Sequence, residues 1–398
     1  RQLAARQVPR SLPMQARLVY STERYRALVD AGGDYVSIFR SFLFDADIFR
    51  AIRARLQAAE PNLSAGELDD ELQSYLSSGR ASEEEGRECA RVLKERGALY
   101  HASFTDPQPV LVSDARLFAA GRNGDQGLDV RGFVLVPHCS SVPLESIRCM
   151  SRAQAQDYYG ELVEVAKRAL LPEGGGGGGG RCHAFCASHL IRHEHNSGNA
   201  DDPIMFVHND FTGAYKRAVI STLSGGVAET ADQYARVDSL AGFHPAEEVL
   251  EQMKGAGITA QQLEGSRIVV LNAWRSIGGG DSQTGLRRKP LALCDIRTVS
   301  AADLFAEKMS PSGDELKTCS ALFSAEHRWY CFPEMTAGEL LLFKTYDSDM
   351  QPFIPALHTA FDDPSCPMDA PPRVSCEARV LLVSPSTRRR GRPSLSRL

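Results

Sequence analysis

The sequence predicts a mainly β protein of the α+β class. Its core is a sandwich or jelly roll with flanking helices, preceded by a helical N-terminal extension. Three observations carry this reading. From Pro109 onwards short β-type runs recur between turn residues. These runs do not alternate regularly with helices, which argues against a doubly wound parallel sheet. Residues 23 to about 97 instead place apolar side chains at three- and four-residue spacing, the period of an amphipathic helix.

The elements follow in order. Residues 1–22 carry Arg1, Arg6, Arg10 and Arg17 and no acidic residue. That composition suits a disordered basic segment, with an organelle-targeting peptide as the alternative, and it lacks the apolar stretch of a secretory signal. Helices are expected within Asp45–Leu56 and Ser64–Leu76, where Ser64 and Glu67 have the spacing of a capping box. This extension, residues 23–97, carries no chemistry and is read as an appendage able to dock a protein partner.

The β-type runs are Val110–Val112, Phe133–Val136, Ile204–Val207, Arg267–Leu271, Leu340–Phe343 and Arg379–Val383. Helices are expected at 152–170, 245–254 and near 229–236. Gly174–Gly180 is an uninterrupted glycine run, expected as a flexible loop. It lacks the Lys-Ser or Lys-Thr of a phosphate-binding loop. A second run, Gly278–Gly280, precedes a charged loop ending at Lys289-Pro290. The main domain is therefore placed at 98–384 and a disordered basic tail at 385–398.

Composition narrows the function classes. With 43% hydrophobic residues in 398, a sizeable core can form. The net charge of −5 gives no global drive towards nucleic acid or anionic membranes. The Arg390-Gly-Arg-Pro393 segment is similar to a minor-groove hook, but one copy does not make a nucleic-acid-binding protein. No apolar run approaches the length of a membrane span. Ten scattered cysteines suit a reducing compartment, and a cytoplasmic location is expected.

Chemistry concentrates at three places. His208-Asn-Asp210 follows the apolar run Pro203–Val207. On a strand, alternation puts its imidazole and carboxylate on one face. His358 adds a second imidazole, completing the two-histidine, one-carboxylate set of non-haem Fe(II) oxygenases. In Arg373-Val-Ser-Cys-Glu-Ala-Arg379, Arg373, Ser375, Glu377 and Arg379 alternate onto one face. A strand that buries two arginines needs an anion, and the distal carboxylate of 2-oxoglutarate suits an Arg fork beside a hydroxyl. For each place the bland alternative is a hydrogen-bonded histidine near a turn or a solvated edge strand.

Ordered blocks then point to a family. Leu271-Asn-Ala-Trp-Arg275, Lys289–Asp295, His327–Met335, Leu341–Ser348, His358–Pro364 and Pro372–Arg379 resemble the asaB-type hydroxylase/desaturase family. That group includes gibberellin-desaturase-like and cephem-methoxylase-related proteins. Asp114-Ala-Arg116, Leu128–Leu135 and Tyr158-Tyr159 add to the resemblance, which covers about residues 100–384. It implies a double-stranded β-helix (jelly roll, cupin-like) and an Fe(II)/2-oxoglutarate-dependent oxidoreductase using O2. Such an enzyme would hydroxylate or desaturate a small metabolite, as in secondary metabolism.

The resemblance also implies residue roles. His208, Asp210 and His358 would be the metal ligands. Arg373 and Ser375 would bind the co-substrate, with Arg379 as second candidate. Asn272, Trp274, Arg275, Trp329 and Tyr346 would line the substrate pocket, core packing being the alternative for both tryptophans. A non-catalytic jelly-roll protein that binds a ligand or partner is the second function. Two departures from the family lie just upstream of His208: the glycine run, and a lengthened Cys182–His195 segment. The latter brings Cys182, Cys186, His189, His193 and His195 close in sequence and raises a zinc reading, although its spacing is not that of a zinc finger.

Overall fold

A computed structural model describes residues 13–31, 38, 42–78, 80–119, 127–151, 153–170, 182–194, 202–224, 247–278, 285–308 and 317–386. The glycine run at 174–180, His195, the helix expected near 229–236 and the tail beyond 386 lie outside them. The chain divides into two compact units. One comprises residues 21–106 and 307–314; the other comprises 1–20, 107–306 and 315–398.

The smaller unit is helical, as the spacing of its apolar residues requires. Its helices span Glu23–Asp30, Asp47–Ala59, Ala65–Ser77 and Glu83–Phe104. Phe44, Phe49, Ile52, Leu72 and Cys89 form its core. Ser64 and Glu67 make the reciprocal capping box that their spacing predicts. The last helix runs to Phe104, past the boundary expected near residue 97.

The larger unit holds the β-sheets. Its first strands are β1 (Met14–Ser21), β2 (Thr105–Asp114), β3 (Phe133–Pro137), β4 (His183–Phe185) and β5 (His189–His193). Then come β6 (His208–Asn209), β7 (Ser266–Gly278), β8 (Leu291–Cys294), β9 (Leu304–Lys308) and β10 (Lys317–Ala321). The last are β11 (Trp329–Cys331), β12 (Glu339–Asp347), β13 (His358–Ala360) and β14 (Val374–Pro385). An eight-stranded sheet has the order β1-β2-β11-β8-β13-β6-β10-β9. A six-stranded sheet has the order β3-β12-β7-β14-β4, with β5 also on β14. This is the jelly-roll core that the short, non-alternating strands imply.

Pleat alternation sorts the side chains into layers. Leu271, Ala273, Leu340, Leu342, Cys376, Ala378 and Val380 face outwards under the helix Gln156–Leu170. That helix buries Tyr158, Tyr159, Leu162, Val165, Ala166 and Leu170, a helical-period stripe. On the inner face Trp274, Leu341 and Phe343 meet Leu291 and Leu293 of the opposite sheet. At one end of the inner face, Ile268, Val270, Leu381 and Val383 pack with Val219, Val249 and Met253 from helices.

Two expectations are corrected here. The segment expected to be disordered at 1–22 contains β1. Ala16, Leu18 and Tyr20 alternate onto one face and are buried in a cluster with Val112, Cys294 and Trp329 of the eight-stranded sheet, so the single arginine between them, Arg17, does not decide. The strand expected at Ile204–Val207 is displaced onto β6: within 204–207 only Phe206 makes a β-bridge, with Val19. Among the described residues no helix is long and apolar enough to cross a membrane. All ten cysteines are free.

Candidate metal centre and anion pocket

β13 lies antiparallel between β8 and β6, with His358 in register with both His208 and Leu293. The two imidazole rings stand 4.4 Å apart between centroids. Asp210 follows β6 by one residue and turns onto the same face. His208 Nε2 lies 3.8 Å and His358 Nε2 4.0 Å from Asp210 Oδ1. All three residues are buried. Among the described residues they are the only group of three or more His, Cys, Asp or Glu side chains that converges closely enough to hold a metal ion.

The surrounding bonds fix which atoms face the centre. His208 Nδ1 is 2.8 Å from the Phe206 carbonyl, and His358 Nδ1 is 3.1 Å from the Ala356 carbonyl. A carbonyl only accepts, so each Nδ1 carries the proton and each Nε2 presents a lone pair. Asp210 Oδ2 accepts from Asn272 Nδ2 at 2.8 Å and from Arg379 Nη2 and Nε at 2.9 and 3.1 Å. Its other oxygen, Oδ1, is left facing the histidines. Two neutral imidazoles and one anionic oxygen are a donor set that suits Fe(II), and the bonds behind them are those that orient metal ligands.

The electrostatics agree. Burial, then the neighbouring His358, hold the His208 imidazole down to about 4. Burial likewise holds His358 below its ordinary value, against the pull of Asp210. Burial alone would raise the Asp210 carboxyl, but Arg379 and the two imidazoles outweigh it and keep it well below the carboxylate range. At neutral pH all three are in the form a cation binds.

A second charged group sits at the start of β14. Arg373 is 2% exposed. Its Nε donates to Ser375 Oγ at 3.1 Å and its Nη1 to the Lys289 carbonyl at 2.7 Å. Its guanidinium lies over the Trp274 ring, 5.0 Å from the centroid. Among the described residues that guanidinium forms no ion pair, and burial, then the charge of Arg192, push it down to about 9. A buried cation without an anion is costly. The donors present suit a carboxylate.

The expected site residues thus separate. His208, Asp210 and His358 converge, and Arg373 and Ser375 are bonded to each other on the inner face. Arg379 is engaged with Asp210 and with Glu377 Oε1 at 3.2 Å. Asn272, expected in the substrate pocket, bridges Asp210 and Glu377, the latter at 3.3 Å. Trp274 is inward, beneath Arg373. Arg275, one residue on, faces outwards, bonded to His138 and stacked over Tyr158, because successive strand residues alternate. Trp329 belongs to the outer cluster of the eight-stranded sheet and donates to Tyr20 Oη at 2.7 Å. Tyr346 follows a register shift in β12 and packs with Tyr215 and Phe353. The structure does not bring these last three to the metal group.

Sequence reasoning missed Glu194. It accepts the Arg373 backbone N–H at 3.0 Å, donates its own backbone N–H to the Arg373 carbonyl at 2.9 Å, and is held by Arg288 at 2.7 Å. It thereby ties the end of β5 to the start of β14, and no local motif announces such a pairing. The zinc reading gains no support: Cys182, Cys186, His189 and His193 form no converging group, and His189 is bonded to Tyr159 Oη at 2.8 Å.

Comparison with known proteins agrees with the geometry. A family model described as "Oxidoreductase/YMDC permease-like domain" matches residues 241–383. Hydroxylase/desaturase efuI of Hormonema carpetanum is 26% identical over 254 residues, 61% of this chain and 72% of that protein. Fe(II)/2-oxoglutarate-dependent dioxygenase nvfI of Aspergillus novofumigatus is 26% identical over 265 residues, 64% of this chain and 77% of that one. The solved structure of the iron and alpha-ketoglutarate-dependent endoperoxidase NvfI superposes with a TM-score of 0.52. It shares 24% identity and covers 71% of this chain and 88% of that chain. The resemblance read from the sequence blocks is borne out to this extent: the chain is similar to proteins named hydroxylase/desaturase and Fe(II)/2-oxoglutarate-dependent dioxygenase, and it shares the jelly-roll fold of NvfI.

Proposed function

We propose that this protein is an Fe(II)/2-oxoglutarate-dependent oxidoreductase that hydroxylates or desaturates a small metabolite, as in secondary metabolism. The observation that carries the reading is the convergence of two proton-fixed histidines on one free oxygen of Asp210, in a chain whose relatives are named for this chemistry. His208, Asp210 and His358 would hold the iron. Arg373 and Ser375 would hold the distal carboxylate of 2-oxoglutarate.

Bound there, iron with 2-oxoglutarate and O2 supplies the oxidising power that removes hydrogen from the substrate. The protein's own contribution is placement. Arg379 and Asn272 fix the Asp210 carboxylate so that one oxygen faces inwards. The Phe206 and Ala356 carbonyls fix the imidazole tautomers. Phe343, its ring 4.7 Å from that of His358, and the inner apolar cluster keep water from the group. The helical unit, residues 23–97 with its continuation to Phe104, would serve as the docking surface for a protein partner. Ten free thiols support a cytoplasmic location.

Anaerobic titration with Fe(II), followed by succinate formation from 2-oxoglutarate in air, tests the reading. One iron per chain and turnover without added substrate are expected, and His208→Ala should abolish both. Absence of iron binding and of succinate in the intact protein would return the chain to a non-catalytic ligand-binding role.

A further inference from the structure

Trp274 carries a donor that no described residue uses. The residue is fully buried, and among the described residues its indole Nε1–H has no hydrogen-bond acceptor. The chain's other tryptophan, Trp329, is equally buried and donates to Tyr20 Oη at 2.7 Å. Buried indole N–H groups are normally paired in this way, so an unpaired one asks for a partner from outside the chain.

The surroundings say what that partner is. Trp274 stands on β7 directly across from Glu377 of β14, on the inner face shared with Asn272. The Arg373 guanidinium lies over its ring, Cζ 5.0 Å from the centroid. The acceptors of that guanidinium are the neutral Ser375 Oγ and the Lys289 carbonyl. Among the described residues, a cation without an ion-pair partner and a donor without an acceptor therefore lie against each other. One carboxylate at the edge of the stacked pair would satisfy both.

We propose that Trp274 is a positioning residue for the co-substrate rather than for the substrate. Its Nε1–H donates to the distal carboxylate that Arg373 and Ser375 hold, while its ring face keeps the guanidinium flat. This rests on the 2-oxoglutarate reading given above. Trp274 then helps the site select a 2-oxo-dicarboxylate over a 2-oxo-monocarboxylate, because only the former reaches the indole.

The test uses the full chain loaded with Zn(II), which binds without turnover, and calorimetry with 2-oxoglutarate. Trp274→Phe keeps a ring under Arg373 and deletes the N–H. A bond to a charged group predicts affinity for 2-oxoglutarate weakened about 10-fold or more. Zn(II) affinity and the weak binding of pyruvate should be unchanged. Wild-type binding that Trp274→Phe leaves within about twofold overturns this proposal alone. Failure of the wild-type protein to bind 2-oxoglutarate overturns it together with the co-substrate reading. Should the variant not fold, the indole N–H resonances of the wild-type Zn(II) protein decide. The Trp274 signal, identified by loss of the Trp329 signal in Trp329→Phe, should shift downfield with 2-oxoglutarate and not with pyruvate. An unmoved signal overturns the proposal.

Discussion

The two oxygens of Asp210 have different tasks, and the residues behind them set the quality of the centre. Oδ2 takes three donors from Asn272 and Arg379, which leaves Oδ1 to the histidines. Asn272→Ala removes one of those donors without adding charge. Loss of such an orienting bond should raise the Kd for Fe(II) about 10- to 100-fold, measured by anaerobic titration, with the fold retained. Arg379→Ala is more severe. It takes the guanidinium from two buried carboxylates, Asp210 and Glu377. Breaking a buried pair from one side should cost about 3–5 kcal/mol in urea denaturation of the metal-free protein. Parts of the converging group and of the Arg373 pocket were legible in the sequence because His-x-Asp and Arg-x-Ser are local patterns with the period of a strand. The work of Asn272 and Arg379 was not. It depends on β7 and β14 pairing so that Arg379 faces Asn272, and register between strands more than 100 residues apart is not written in either strand.

Between elements, the frame of the site hangs on close backbone approaches. β12 shifts register between Lys344 and Tyr346, and there the Lys344 N–H bonds to the Gly132 carbonyl at 2.7 Å, just beyond the last β3 pair. Gly132 has φ +87°, and a Cβ there would meet Ile296 Cγ2 at 2.5 Å and Ala356 Cβ at 3.3 Å. Gly132→Ala should therefore combine left-handed strain with overpacking, a loss of about 2–4 kcal/mol in urea denaturation. Several family blocks prove to be frame rather than chemistry. Arg116 forks onto Glu339 at 2.7 and 2.9 Å, and Asp295 is held by Arg131 at 2.6 Å and Arg297 at 2.7 Å. Strand identity in β7, β12 and β14 was legible from unbroken apolar runs. β1 was masked by the basic composition of the segment around it, although Ala16, Leu18 and Tyr20 alternate as a half-buried strand requires. β6 was displaced because its two residues are defined by partners from β10 and β13, not by their own pattern.

For the molecule as a whole, histidines remote from the metal group couple stability to pH. His138 accepts from Arg275 through Nδ1, and its Nε2 lies 3.8 Å from Glu161. His327 links Tyr20, at 3.1 Å, to Asp303, at 3.2 Å. Burial, then the Arg275 charge, lower His138 below its ordinary value; burial lowers His327 despite the nearby Asp303. A lowered folded value means that the unfolded chain binds the proton first. Stability is thus complete above the unfolded value of about 6.5 and declines as the pH falls below it, until the folded imidazoles also titrate. One pH unit below that value, each histidine can account for at most about 1.4 kcal/mol. Protonating His138 would also end its acceptance from Arg275 and set a second cation against that buried guanidinium. The expected outcome is a fall in the urea midpoint of the metal-free protein between pH 7.5 and 5.5. The His138→Gln, His327→Gln double variant should show a shallower fall over the same interval, even if its midpoint at pH 7.5 is lower. An unchanged slope would mean that these two imidazoles titrate alike in the folded and unfolded chain, and that the acid sensitivity lies with other groups.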